Sequence, residues 1–216
     1  VNELKAKVME KRAEKAVSAL RKRNIDAHFI KNREEALKLI LGMIPKGATV
    51  ALGGSVTLIE TGLLDLLRKK EGITLLDRYK PGISKEEVAK MRLAGLTADC
   101  FISGTNAITL DGKLVNIDGI GNRVAAMAYG PDKVIIIAGY NKIVRDVEEG
   151  IRRIKEVAAP PNTVRVGANT PCSKTGFCNE SACFPPERIC NITTIIEGQR
   201  VSGRMSVVIL AEELGF

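Results

Sequence analysis

The chain contains no tryptophan, and aromatic residues make up only 4% of its 216 residues. Stacking platforms for nucleic-acid bases are therefore scarce. His28 is the single histidine. A proton carrier in an active site is then expected to be a carboxylate rather than an imidazole. Long apolar runs are missing as well. Stretches such as "VIIIAG" (134–139) fall far short of the roughly 20 residues a bilayer span requires. The opening stretch "VNELKAKVMEKRAEKAVSALRKRN" is charged and amphipathic and carries no apolar h-region. These absences predict a cytoplasmic protein without membrane association. No block of one charge sign stands out either. The net charge is +8, but Lys5, Lys7, Lys11, Arg12 and Lys15 are dispersed over a helix face. That argues against a nucleic-acid partner and for a solvated basic surface compatible with small anionic metabolites.

What is present is a 45% hydrophobic chain long enough for one substantial core. Leu4, Val8, Ala13, Ala16, Val17 and Leu20 recur at helical spacing. "DAHFI" (26–30) reads as a short strand, and "NREEALKLILGMI" as a helix with Asn32 as its cap. "ATVALG" is a buried strand, followed by a helix over "SVTLIETGLLDLLRKK" capped by Ser55, and "ITLLD" is another strand. Ser84 with Glu87 three residues on forms a capping box, and "ADCFISG" is a strand in which Cys100 is a core residue. Asp111-Gly112 between apolar runs signals a two-residue hairpin. A short helix from Asn122, the strand "DKVIIIAG" and a long helix capped by Asn141 follow. Strands alternating with helices give an α/β fold: a mostly parallel sheet with helices on both faces. From Ala158 the periodicity is lost, and "NITTIIE" and "RMSVVILAEE" then read as strands returning to the sheet. The chain 1–216 is thus expected to be one α/β domain, with 160–191 as a cysteine-rich loop inserted before the last strands.

Ligands of open α/β sheets bind at the carboxyl ends of strands. In "ALGGSVT", Gly53 and Gly54 let a ligand approach the backbone, and Ser55 opens a helix whose free N–H groups suit an anion. A tight strand-to-helix turn explains the same glycines. No Gly-Lys-Ser/Thr follows, so this is not a P-loop, and Thr57 breaks the nucleophile-elbow pattern. In "SGTNAITLDGKLVNIDGIGNRVA", Thr105, Asn106, Asn116, Asp118, Asn122 and Arg123 gather around two turns and exceed what a turn needs, although Asp, Asn and Gly are good turn formers. Val124 stands where a dinucleotide fingerprint needs glycine. Asn141, at a third strand end, reads as a cap rather than a ligand.

Cysteines 172, 178, 183 and 190 follow the pattern Cys-x5-Cys-x4-Cys-x6-Cys. In a reducing compartment such clustering favours metal over disulfides or free thiols. Four thiolates suit structural zinc or an iron–sulfur cluster, and spacing alone does not choose. Lys174 and Arg188 are placed to offset the thiolate charge. A [4Fe–4S] cluster is the expected cofactor, with zinc the alternative.

The stretch "TNAITLDGKLVNIDGIGNRVAAMAYGPDKVIIIAGYNKIV", with "ALGGSVTLIETGLL" upstream and "NTPC…TGFC…PPERICN" downstream, resembles the LUD (lactate utilisation) domain family of the LutC/YkgG type. The cysteines make it similar to a stand-alone branch of that family. The resemblance implies a fold like that of the sugar-phosphate isomerase and CoA-transferase-like superfamily. It also implies a link to oxidation of lactate to pyruvate alongside iron–sulfur subunits. Positions matching its motifs are Gly53, Gly54, Ser55, Asn106, Asp118, Asn122 and Arg123. Two functions are carried forward. One is a redox enzyme or subunit acting on a small carboxylate or phosphorylated metabolite, with Asp118 or Glu60 as acid/base and isomerase- or transferase-like chemistry also open. The other is a non-catalytic accessory protein whose zinc fastens the loop while its surface docks partner subunits. Homo-oligomerisation is left open by either.

Overall fold

A computed structural model describes residues 3–216. The first helix, α1 (Glu3–Lys22), buries Ala13, Ala16, Val17 and Leu20, while Leu4 and Val8 remain exposed, so its packing on the core starts at the partly buried Met9. Next come β1 (Asp26–Ile30), α2 (Arg33–Met43) and β2 (Thr49–Leu52). Asn32 caps α2 as its position suggests, accepting from the Glu35 N–H at 3.1 Å.

The helix expected from Ser55 is two helices, α3 (Val56–Glu60) and α4 (Leu63–Lys69). Gly62, at φ 77°, breaks them apart, and Ser55 makes no side-chain cap. β3 (Thr74–Leu76) and α5 (Lys85–Ala94) follow, the latter with the capping box of Ser84 and Glu87. β4 (Cys100–Ser103) leads into β5 (Ala107–Thr109) and β6 (Leu114–Asp118), which pair antiparallel. The hairpin connection is longer than two residues. Thr109 N–H donates to the Lys113 carbonyl at 2.9 Å, and Gly112 sits within the turn at φ 88°.

After α6 (Asn122–Ala128) and β7 (Lys133–Gly139) the expected long helix again starts late. A 3₁₀ turn (Tyr140–Lys142) and a short strand, β8 (Ile143–Val144), intervene before α7 (Val147–Arg153), whose cap is Asp146, not Asn141. The Asn141 side chain instead binds the Leu214 backbone.

The segment after Ala158 is not an aperiodic loop throughout. α7 runs through a π-helical turn (Ile154–Ala158) into α8 (Ala159–Val166), and α9 (Pro171–Thr175) follows. The physical reason lies in Pro160 and Pro161. Neither has an N–H to donate, and a proline ring clashes with the carbonyl four residues back in a regular α-helix. The wider π turn, closed by the Ala159 N–H on the Ile154 carbonyl, absorbs that clash and lets the helix continue.

The last strands, β9 (Ile192–Ile196) and β10 (Met205–Leu210), go to different sheets rather than returning together. The main sheet has six parallel strands in the order β1-β10-β7-β4-β2-β3. β4, β7 and β10 are buried on both sides, which is why they read as continuous apolar runs. Alternate residues face opposite layers. Val134, Ile136, Val207 and Ile209 pack with α1 and α6, whereas Ile135, Ile137, Val208 and Leu210 pack with α2, α3 and α4. Cys100 is buried in the second layer, where desolvation pushes its thiol up to about 12.

A second sheet of four strands, β8-β5-β6-β9, is built from the hairpin. Its apolar face, with Ala107, Val115, Ile117 and Val144, packs against Ile154 and Ile151 of the long helix. This sheet projects from the carboxyl ends of β4 and β7 and so walls off the place where a ligand would sit. Among the described residues no helix is long and apolar enough to cross a membrane.

Candidate functional site

The central strands β2, β4 and β7 end side by side, and their exit loops meet the second sheet and α8 around a cleft of about 320 Å³. At the first exit, the Tyr79 hydroxyl accepts from the Ser55 N–H at 2.9 Å and donates to the Gly53 carbonyl at 2.9 Å. That clamp uses the N–H which the sequence offers to an anion. α3, with 5 residues, adds little dipole of its own. A Cβ on Gly53 would lie 2.2 Å from Ser103 Oγ, so this glycine permits strand packing and does not line the cleft. Gly54 and Ser55 do line it.

Asp118, Arg123, Asn106 and Asn116 form one buried network. Arg123 Nε donates to Asp118 Oδ1 at 2.9 Å, and the N–H groups of Arg123 and Val124 donate to Asp118 Oδ2 at 3.1 and 3.2 Å. Arg123 Nη2 donates to Asn106 Oδ1 at 2.7 Å, and Nη1 to Asn116 Oδ1 at 2.6 Å. Asn106 Oδ1 also takes the Ile117 N–H at 3.1 Å. Both Asp118 oxygens are thus committed to α6. The geometry supports Asp118 as the anchor of Arg123, not as a free proton acceptor. Asn122 lines the cleft beside them. Glu60 is not brought in. Its carboxylate accepts the Gly215 N–H at 2.6 Å and stands outside the cleft lining.

Five cations line the cleft: Arg78, Arg92, Arg123, Lys142 and Arg165. Only Arg123 is matched by a carboxylate. Among the described residues Arg78, Arg92, Lys142 and Arg165 form no ion pair. Arg92 Nε is buried without a hydrogen-bond partner. Burial lowers the pKa of Arg78, and Arg92 and Arg165 push it the same way. Lys142 is 4% exposed, and burial, helped by Arg153 and Arg123, brings its ammonium down to about 7. Residue-by-residue reading misses these cations. Arg78 follows β3, Arg92 lies on α5 and Arg165 on α8, and they share no local motif. Lys142 had one signal, its place just past a buried strand, next to the asparagine that drew attention there.

The four clustered cysteines surround one small cavity of about 20 Å³, with Lys155 and Arg188 at its wall. Cys172 is buried, Cys178 exposed, and Cys183 and Cys190 lie between. Burial pushes the Cys190 thiol up to about 11, and the other three cysteines add to it, which reflects their proximity. Arg188 binds the carbonyls of Cys190 and Cys183 at 2.9 and 3.2 Å and pairs with Glu180. Lys155, not Lys174, takes the second basic place, and it too pairs with Glu180. Among the described residues no group of three or more histidine, cysteine or carboxylate side chains stands ready to hold one ion. The four cysteines line a common space, and four thiolates as a donor set suit a thiophilic metal. That space admits roughly one water-sized sphere. Ala159, Ile189 and Cys190 line both this cavity and the cleft, so the two share a wall.

A six-stranded parallel sheet with a cation-lined cleft at its strand ends places the protein in the α/β class. More particularly, the LUD domain matches residues 13–210, and the chain belongs to that family. A DUF162 family protein from Deinococcus radiodurans shares the fold at a TM-score of 0.51 and 14% identity, over 95% of this chain and 98% of that one. The delta subunit of eIF2B from Chaetomium thermophilum overlaps over 55% of this chain and 50% of its own, at 23% identity and a TM-score of 0.34. No curated protein matches the chain at a significant level.

Proposed function

We propose that this LUD-family protein is a redox enzyme, or the redox subunit of one, that binds a small carboxylate or phosphorylated metabolite in the cleft, in the manner of lactate utilisation. The observation carrying this reading is the set of unmatched cations: Arg78, Arg92, Arg165 and Lys142 line a space whose only side-chain carboxylate among the described residues, Asp118, is spent on Arg123. An anion there would relieve the repulsion among them, and each charge-assisted hydrogen bond to it would contribute about 1.5–3 kcal/mol. Arg123, fixed by Asp118 and Asn106, would orient the ligand. Cys172, Cys178, Cys183 and Cys190 would hold an iron–sulfur cluster, which supplies electron transfer when bound. Cys190, in the shared wall, supports a role for that group beside the ligand rather than remote from it.

Structural zinc is the second reading, favoured by the small volume between the thiols. Anaerobic purification separates the two. The iron–sulfur reading expects brown protein with a band at about 400 nm, lost in Cys190→Ala. Colourless protein with stoichiometric zinc would leave a non-catalytic accessory role. In calorimetric titration with inorganic phosphate and oxalate, Arg78→Met and Arg92→Met should each weaken binding about tenfold or more, roughly 1.4 kcal/mol. Absence of any anion binding would overturn the cleft assignment.

A further inference from the structure

Lys142 is a cleft cation whose head group is buried together with its stem, and unlike the equally buried Arg123 it forms no ion pair among the described residues. Long basic side chains normally bury the stem and keep the charge in water. Here the residue is 4% exposed, and among the described residues Nζ has a single direct polar partner, the Thr57 hydroxyl at 3.0 Å. An ammonium carries three donors, so two are left over. The charged groups facing it are Arg123 from α6, Arg153 from α7 and Glu60 from α3. The two guanidiniums disfavour its charge. Glu60 favours it, but that carboxylate is held by the Gly215 N–H. Gly215 closes one side, where an added Cβ would lie 3.4 Å from Nζ, and Lys142 itself lines the cleft. A lysine kept out of water without a paired carboxylate is costly, and such sites in clefts mark functional amines.

We propose that Lys142 Nζ is the nucleophile of this cleft and forms a Schiff base with a small anionic carbonyl compound, a 2-oxo acid or a keto phosphate, whose anionic group rests on Arg78 and Arg92. The inference rests on the anion-binding reading above and names its substrate class. The neutral amine attacks the carbonyl carbon, a C–N bond forms, and the C=O π pair moves to oxygen, which takes a proton from the amine. That hydroxyl leaves as water with the second amine proton, giving C=N. Protonation of the imine nitrogen then makes an iminium that withdraws electrons from the adjacent carbon. No oxidant is consumed. An ammonium brought down to about 7 by burial makes the free amine available at neutral pH.

The test is borohydride trapping on the full chain with pyruvate, glyoxylate and dihydroxyacetone phosphate, read by peptide mass mapping. The expected result is a carbonyl-dependent mass increment on Lys142, rising about tenfold from about pH 6 to about pH 8. It should vanish in Lys142→Met and in Lys142→Arg. Which probe is trapped distinguishes an oxo acid from a keto phosphate. Pyruvate or dihydroxyacetone phosphate that binds by calorimetry but leaves no adduct on Lys142 would overturn the Schiff base and leave the anion cleft standing. Equal trapping in Lys142→Met would overturn it as well. If neither these probes nor phosphate bind, the cleft reading fails and takes this inference with it.

Discussion

Lys142 binds its proton more weakly in the folded protein, at about 7, than a free lysine does at 10.5. Between those values the unfolded chain holds more protons, so stability rises with pH through that window. Below it both states are charged, and the folded protein bears the full cost of a buried ammonium, on the order of 5 kcal/mol. Lys142→Met should therefore raise the unfolding free energy by roughly 2–5 kcal/mol at about pH 6, with the gain shrinking toward about pH 10. Urea melts across pH check this, and a gain that does not vary with pH would contradict it. The cluster of Asn106, Asp118 and Arg123 is legible in the sequence because its members crowd around one hairpin and one turn. Their division of labour is not. That Asp118 is tied to Arg123 depends on which way the α6 N-terminus points, and that Glu60 is held outside the cleft lining goes with its bond to the distant Gly215 N–H.

At the level of elements, the cysteine segment is fastened mainly by side chains. Arg188 spans Cys183, Cys190 and Glu180, and Asn191 ties the segment to the hairpin, its N–H on the Asp118 carbonyl at 2.9 Å and its side chain on the Gly119 carbonyl at 3.1 Å. Arg188→Met should cost about 1–3 kcal/mol of local stability and speed limited proteolysis within 176–184 about tenfold, while the melting of the main sheet stays put. Unchanged cleavage would show that other contacts hold the segment. Helix α8 was hidden from sequence reading because Pro160-Pro161 looks like a terminator. The π turn before it is a solution that propensity does not encode, since its stability comes from the packing of Ile154 and Ala158.

Over the whole molecule, the buried strands β4, β7 and β10 form the centre, and the exposed cysteine segment lies at its margin. Hydrogen exchange should be slowest in 133–139 and 205–210 and faster by orders of magnitude in 176–184. Uniform protection across both would contradict this separation of core and margin. The sequence by itself determined the α/β class, the parallel core strands, the capping box of Ser84 and Glu87, and the family, because periodicity, caps and long motifs are local. Only the tertiary structure decided that the hairpin founds a second sheet and that β9 and β10 part company. It alone gathers Arg78, Arg92, Lys142 and Arg165 around one cleft beside the four cysteines. Those residues lie far apart along the chain, and what unites them is the register and crossing of strands, a non-local balance of packing that no short stretch of sequence contains.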